Sequence, residues 1–129
     1  MSLRFDSERG SAPAEFVLVS ALLVALALAL VHVSLVIHVR HVLQASAWEG
    51  ARWASYYGNT PADGARLTQD LITEGLSAGY AGDVRAQTTF VGGRPGVQIS
   101  VIAPIPSVGL WSLGGELRVQ AALPREVQG

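Results

Sequence analysis

The stretch "EFVLVSALLVALALALVHVSLVI", residues 15–37, decides how the chain is organised. After Glu15, the 22 residues from 16 to 37 include no Asp, Glu, Lys or Arg. At 1.5 Å per residue they make about 33 Å of helix, matching a hydrocarbon layer of about 30 Å. A cleaved secretory signal has a shorter apolar region, about 7 to 15 residues. The small-x-small site "ASA" at 45–47 comes only after His38, Arg40 and His41. The run therefore reads as a retained membrane span.

Helical periodicity continues past the span through "HVRHVLQASAWEGARWASYY", residues 38–57. Val39, Val42, Leu43, Ser46, Gly50, Trp53, Ala54 and Tyr57 fall near one face, with Arg40, Gln44 and Arg52 elsewhere. One long helix is expected over residues 11–57, about 70 Å if unbroken, with Pro13 tolerated in its first turn. Ser46, Gly50 and Ala54 recur every fourth residue, as do Ala47, Ala51 and Ser55. Two such small-residue ridges let another helix approach closely. The occupant of the groove is either a second helix of the same subunit or a partner. Trp48, Trp53, Tyr56 and Tyr57 read as core or interface fillers, because aromatics of this kind lose little entropy on burial.

On the other side of the span, Glu15 places a carboxylate at the edge of lipid. The helix macrodipole favours an acid at a helix N-terminus by some tenths of a kcal/mol, which alone accounts for its position. An acid facing hydrocarbon, however, tends to be paired and functional. Its context is specific: a ten-residue polar leader "MSLRFDSERG", then Gly10, four residues, Glu15 and Phe16, then the apolar run. This resembles the processing site of type IV prepilins of the tight-adherence (Tad/Flp) family. The resemblance implies a prepilin peptidase cutting between Gly10 and Ser11. Residues 1–10 would then be the leader, and Glu15 the fifth mature residue. The new α-amine could neutralise Glu15 of a neighbouring subunit, and removing either charge would strand the other in a dry site. A second stretch, "LQASAWEGARWAS" at 43–55, is similar to the post-membrane helix of TadE-like proteins, with Glu49, Gly50, Ala51 and Arg52 as its Glu-Gly-Ala-Arg. "AALPREV" resembles the family's C-terminal signature through Ala121, Ala122, Arg125 and Glu126, interrupted by Pro124.

Residues 58–129 are expected to form a small α+β head. Residues 58–60 break the long helix. In "TPAD", Thr60 is an N-cap, Pro61 the first helical residue and Asp63 the capping-box acid. A second helix is expected over residues 61–78, with Ala65, Thr68, Ile72 and Leu76 inward and Gly79 as its stop. "VRAQTTF" alternates Val84, Ala86, Thr88 and Phe90, "GGRPG" turns, and "VQISVIA" alternates Val97, Ile99, Val101 and Ala103. After Pro104 and Pro106, a connection holds Leu110, Trp111 and Leu113. "ELRVQAAL" then gives a third strand with Leu117, Val119 and Ala121 inward. The expected architecture is a long N-terminal transmembrane and stalk helix, then a second helix and a three-stranded antiparallel sheet.

Composition narrows function further. The chain has 129 residues, room for one small domain, and 15% are charged against about a quarter in soluble domains. Nine arginines and ten acids give a net charge of -1, scattered without a basic stripe, so nucleic acid is not an expected partner. With no cysteine, neither a disulfide framework nor a thiolate metal site is available. The histidines, His32 in the span and His38 and His41 just past it, read as interfacial imidazoles, since the i, i+3 pair has no third ligand nearby. The acids Asp63, Asp70, Glu74, Asp83, Glu116 and Glu126 show no acid–base spacing. Gly92, Gly93 and Gly96 lie between strands, not before a helix as in a phosphate loop. No catalytic residue, metal or cofactor is expected.

The resemblance implies a minor pilin or pseudopilin, since a major pilin of that kind is little more than its helix. Its implied partners are the prepilin peptidase, other pilins, pilus assembly proteins and membrane lipid. Charge does not set the orientation, because Asp6 and Glu8 offset Arg4 and Arg9 while Arg40 and Arg52 stand beyond the span. The resemblance implies a single pass through the cytoplasmic membrane with the head extracytoplasmic. The alternative is an unprocessed single-pass protein whose outer domain binds a ligand or another protein.

Overall fold

A computed structural model describes residues 2–56, 58–106 and 115–125, with side chains from Ser11 onward. Tyr57, Leu110, Trp111, Leu113 and Glu126 fall outside the described residues. The chain divides into two compact units, residues 1–34 and 35–129.

Helix α1 runs Ser2–Ser55 and contributes to both units. It begins nine residues earlier than position 11, because residues 2–9 contain neither glycine nor proline to stop it. Pro13 therefore lies inside the helix rather than in its first turn, where it offers no amide to the Arg9 carbonyl. At the C-terminal end, the Asn59 side-chain amide donates to the Trp53 carbonyl at 2.7 Å and the Ser55 hydroxyl to the Arg52 carbonyl at 2.7 Å. Gly58 follows at φ 90°, a left-handed turn that glycine makes without a Cβ penalty.

Helix α2 spans Pro61–Gly75 and starts with a complete capping box. The Thr60 amide donates to Asp63 Oδ2 at 2.9 Å, and the Asp63 amide donates to Thr60 Oγ1 at 3.2 Å. The Thr60 amide, and after it the Thr60 hydroxyl, hold the Asp63 carboxyl below the usual carboxylate range, with Arg66 adding to them. A depressed folded pKa stabilises the fold above the unfolded value of about 3.9, and that contribution disappears as pH falls through the folded value. Thermal unfolding between pH 2 and 6 is expected to show this acid loss in the wild type, and a shallower acid limb in Asp63→Asn.

The second helix stops at Gly75, three residues before position 78. Glycine disfavours the helix interior, and Leu76 leaves helical space at φ -129°, ψ -92°. Gly79 sits instead in a 3₁₀ turn, Ala78–Tyr80.

Strands β1 (Asp83–Val91), β2 (Arg94–Pro104) and β3 (Glu116–Pro124) form an antiparallel sheet in sequence order. Gly92 and Gly93, at φ 58° and 80°, make the two-residue hairpin whose backbone twist matches that of its strands. The register lines up Val84, Val101 and Val119, then Ala86, Ile99 and Ala121. These central residues face a core completed by Leu43, Ala47, Ala51 and Ile72. Phe90 departs from the expected inward set. It shares the face of Val84 but lies opposite Pro95 at the hairpin tip, beyond the cover of the core, and is 75% exposed. Thr88, of the same set, is exposed as well.

Candidate functional site

The motif of Gly10, Glu15 and Phe16 lies in the first unit. Gly10 has helical backbone, and Ser11 and Glu15 stand one turn apart, with Ser11 Oγ 3.5 Å from Glu15 Oε1. That contact is at the limit of a hydrogen bond. The ion pairs among the described residues are Arg52 with Glu49, Arg85 with Asp83 and Arg118 with Glu116, so none of them involves Glu15. Phe16 is exposed, as are the large apolar residues from Val17 to Val33. Such a surface suits hydrocarbon or other apolar helices and does not suit water.

The second motif lies in the second unit, where α1 and α2 form an antiparallel pair. Ser46, Gly50 and Ala54 are buried, and α2 presents Gly64 and Thr68 to them. A Cβ built on Gly64 would lie 2.5 Å from the Gly50 carbonyl oxygen and 2.6 Å from Ala54 Cβ. A Cβ on Gly50 would overlap Thr68 Oγ1 and come within 2.6 Å of the Gly64 carbonyl oxygen. The Thr68 hydroxyl donates to the Gly64 carbonyl at 2.8 Å and lies 3.3 Å from that of Ser46. This satisfies a fully buried polar group that would otherwise be destabilising.

The subunit's own second helix thus fills the groove. Ala47, Ala51 and Ser55, the other ridge, are buried too. Glu49 and Arg52 point outward from the crossing and pair at 3.6 Å, each about half exposed, an arrangement that adds little stability. Trp48 and Trp53 are exposed beside them, Trp53 edge-on to Tyr56 at 6.2 Å between ring centroids.

Gly64 was not singled out from the sequence. Its signal is the spacing of Gly64 and Thr68, a small pair four residues apart that mirrors Gly50 and Ala54. His38 and His41 are exposed, and no three metal-ligating side chains come together among the described residues.

Both motifs fall within one region of similarity to known proteins. Residues 10–52 match the family model described as TadE-like protein. This stretch is TadE-like. The match opens on the glycine of the first motif and closes on the arginine of the second. No curated protein and no solved structure matches the chain. The TadE-like segment therefore carries the exposed apolar helix, compatible with single-pass membrane anchoring, and the α1 half of the helix crossing.

Proposed function

We propose that the protein is a minor pilin or pseudopilin of a Tad-type pilus, matured by a prepilin peptidase that cuts between Gly10 and Ser11. The observation that carries this reading is the join of Gly10, Glu15 and Phe16 to an exposed apolar helix at the start of the TadE-like match. Cutting there converts Ser11 into a helix N-terminus bearing an ammonium. The Ser11 hydroxyl already reaches Glu15, so the ammonium stands within a turn of one carboxylate and can also meet that of a neighbour. A charge pair in lipid is held tightly, because separating it leaves each charge alone in a medium of low dielectric.

Assembly runs through the apolar part of α1, since both small-residue ridges are taken up inside the subunit. The folded unit supports the minor class over a bare-helix pilin. In this reading the helix crosses the cytoplasmic membrane and the folded unit is extracytoplasmic. Its partners are the peptidase, other Tad pilins, assembly proteins and lipid.

One observation favours the alternative, an unprocessed single-pass protein with a ligand- or protein-binding domain: α1 continues without a break from Ser2 through Gly10. N-terminal sequencing of the membrane form from its native host separates the two. The pilin reading expects Ser11 as the first residue. A chain that keeps Met1 or Ser2 overturns it.

A further inference from the structure

Within the second unit, α1 has a side that neither α2 nor the sheet uses. Val39, Leu43, Ala47 and Ala51 belong to the core. His38, His41, Ala45, Trp48 and Arg52 are exposed, and their spacing of three, four, three and four residues keeps them together on the other side of the helix. The folded unit leaves that side open among the described residues.

His38 and His41 lie three residues apart, the separation at which helical side chains are neighbours, with Cβ atoms about 5 to 6 Å apart. None of the ion pairs among the described residues involves either imidazole. The nearest cation along the chain, Arg40, is turned about 100° around the helix from His41, and Arg52 stands about 16 Å further along the axis. Ala45, one turn past His41, presents only a methyl group, so another helix can come alongside the pair.

Two imidazoles on one helix face are half of a coordination shell. Zn²⁺ takes four ligands in tetrahedral array, and imidazole nitrogen is one of its preferred donors. Within one chain no group of three His, Cys, Asp or Glu side chains assembles among the described residues, and the sequence has no cysteine. The missing ligands must come from outside the subunit. Water would leave the ion with only two bonds to protein, whereas a second copy brings the same pair in the same geometry and fills the shell.

We propose that His38 and His41 from two copies of this chain together bind one zinc ion, so that the open side of α1 is a metal-bridged contact between copies. The contact is isologous, each copy contributing the same residues. Nitrogen donors without thiolate suit Zn²⁺ and its neighbours Ni²⁺ and Cu²⁺, and they do not suit Mg²⁺ or Ca²⁺, which take oxygen ligands. Association becomes linked to metal supply, because an ion that binds only the paired form favours pairing by mass action. The inference is independent of the maturation reading, since it uses only residues of the folded unit.

The test uses the full chain, purified without a polyhistidine tag in a density-matched detergent. Sedimentation equilibrium is expected to give the monomer mass in chelator and twice that mass in ZnCl₂, with one zinc ion for two chains by calorimetric titration. MgCl₂ should leave the mass unchanged. His38→Ala and His41→Ala should each abolish the zinc-dependent doubling, whereas His32→Ala, in the apolar run, should retain it. Both substitutions fall on an exposed side, so near-ultraviolet circular dichroism should report an intact fold in each. No doubling with zinc, or a dimer as abundant in chelator as in zinc, overturns the metal bridge. One zinc ion per chain on a monomer overturns the shared site, and doubling that survives both single substitutions overturns the ligand assignment.

Discussion

Gly50→Leu is expected to lower the thermal unfolding midpoint of the folded unit by roughly 10 to 20 °C, measured by near-ultraviolet circular dichroism on the full chain in detergent. A Cβ at position 50 already overlaps Thr68 and crowds the Gly64 backbone, and the further carbons of leucine have no space to enter. Overpacking of this kind destabilises by about 1 to 3 kcal/mol, occasionally more. The alanine variants make the sharper test. On an open helix, glycine to alanine stabilises by about 1 kcal/mol. Gly64→Ala is nevertheless expected to destabilise, since its methyl would meet the Gly50 carbonyl oxygen and Ala54 Cβ, neither of which can swing aside. Gly82→Ala, with nothing within 4 Å, should stay within about 0.5 kcal/mol of wild type. A Gly64→Ala chain more stable than wild type would show that the helices do not cross at this point.

On the proposed maturation, Gly10→Leu is expected to abolish leader removal, so that the protein accumulates at its precursor mass in native membranes. Two features of the chain combine at that bond. Glycine lets another backbone approach closely, and helical residues must unwind before a peptidase can bind them extended. Gly10 itself weakens the helix by about 1 kcal/mol relative to alanine, and Pro13 leaves the Arg9 carbonyl without its helical amide. Leucine at position 10 both blocks the approach and strengthens the helix. Its companion Glu15→Gln should still insert and be cut, yet fail to assemble, because the amide offers no charge to the new ammonium. A Gly10→Leu protein found at the processed mass removes the peptidase from the account, and normal pili from Glu15→Gln remove the pairing role of Glu15.

The parts of the fold legible in the sequence are those fixed by local chemistry. Hydropathy alone marks residues 16–37, "TPAD" spells out the capping box at Thr60 and Asp63, and alternation locates all three strands. What pattern could not supply was depth and partnership. Phe90 and Val84 have the same parity, but only the extent of the helical cover decides which is wetted. The sequence places the end of α2 at residue 78, because Gly79 is a local stop signal, whereas the helix ends at Gly75, where Leu76 leaves helical space. The groove at Gly50 was equally compatible with two occupants until Gly64 was seen inside it. A small-residue ridge records that something comes close without recording what. The spacing of Gly10, Glu15 and Phe16 is a matter of sequence alone, and its reading as a processing site stays a proposal.

The order of the elements bears on how the protein matures. α1 pairs with α2, the next element along, β1 with β2 and β2 with β3, while the packing of the sheet on α1, as at Gln44 and Gln120, joins distant parts of the chain. Low separation between contacting segments favours rapid folding. A chain threaded across a membrane with its first helix retained would find each new segment's mate already waiting, and could close its core as the last strand arrives. The interval in which an unpaired strand edge is open to aggregation is correspondingly short.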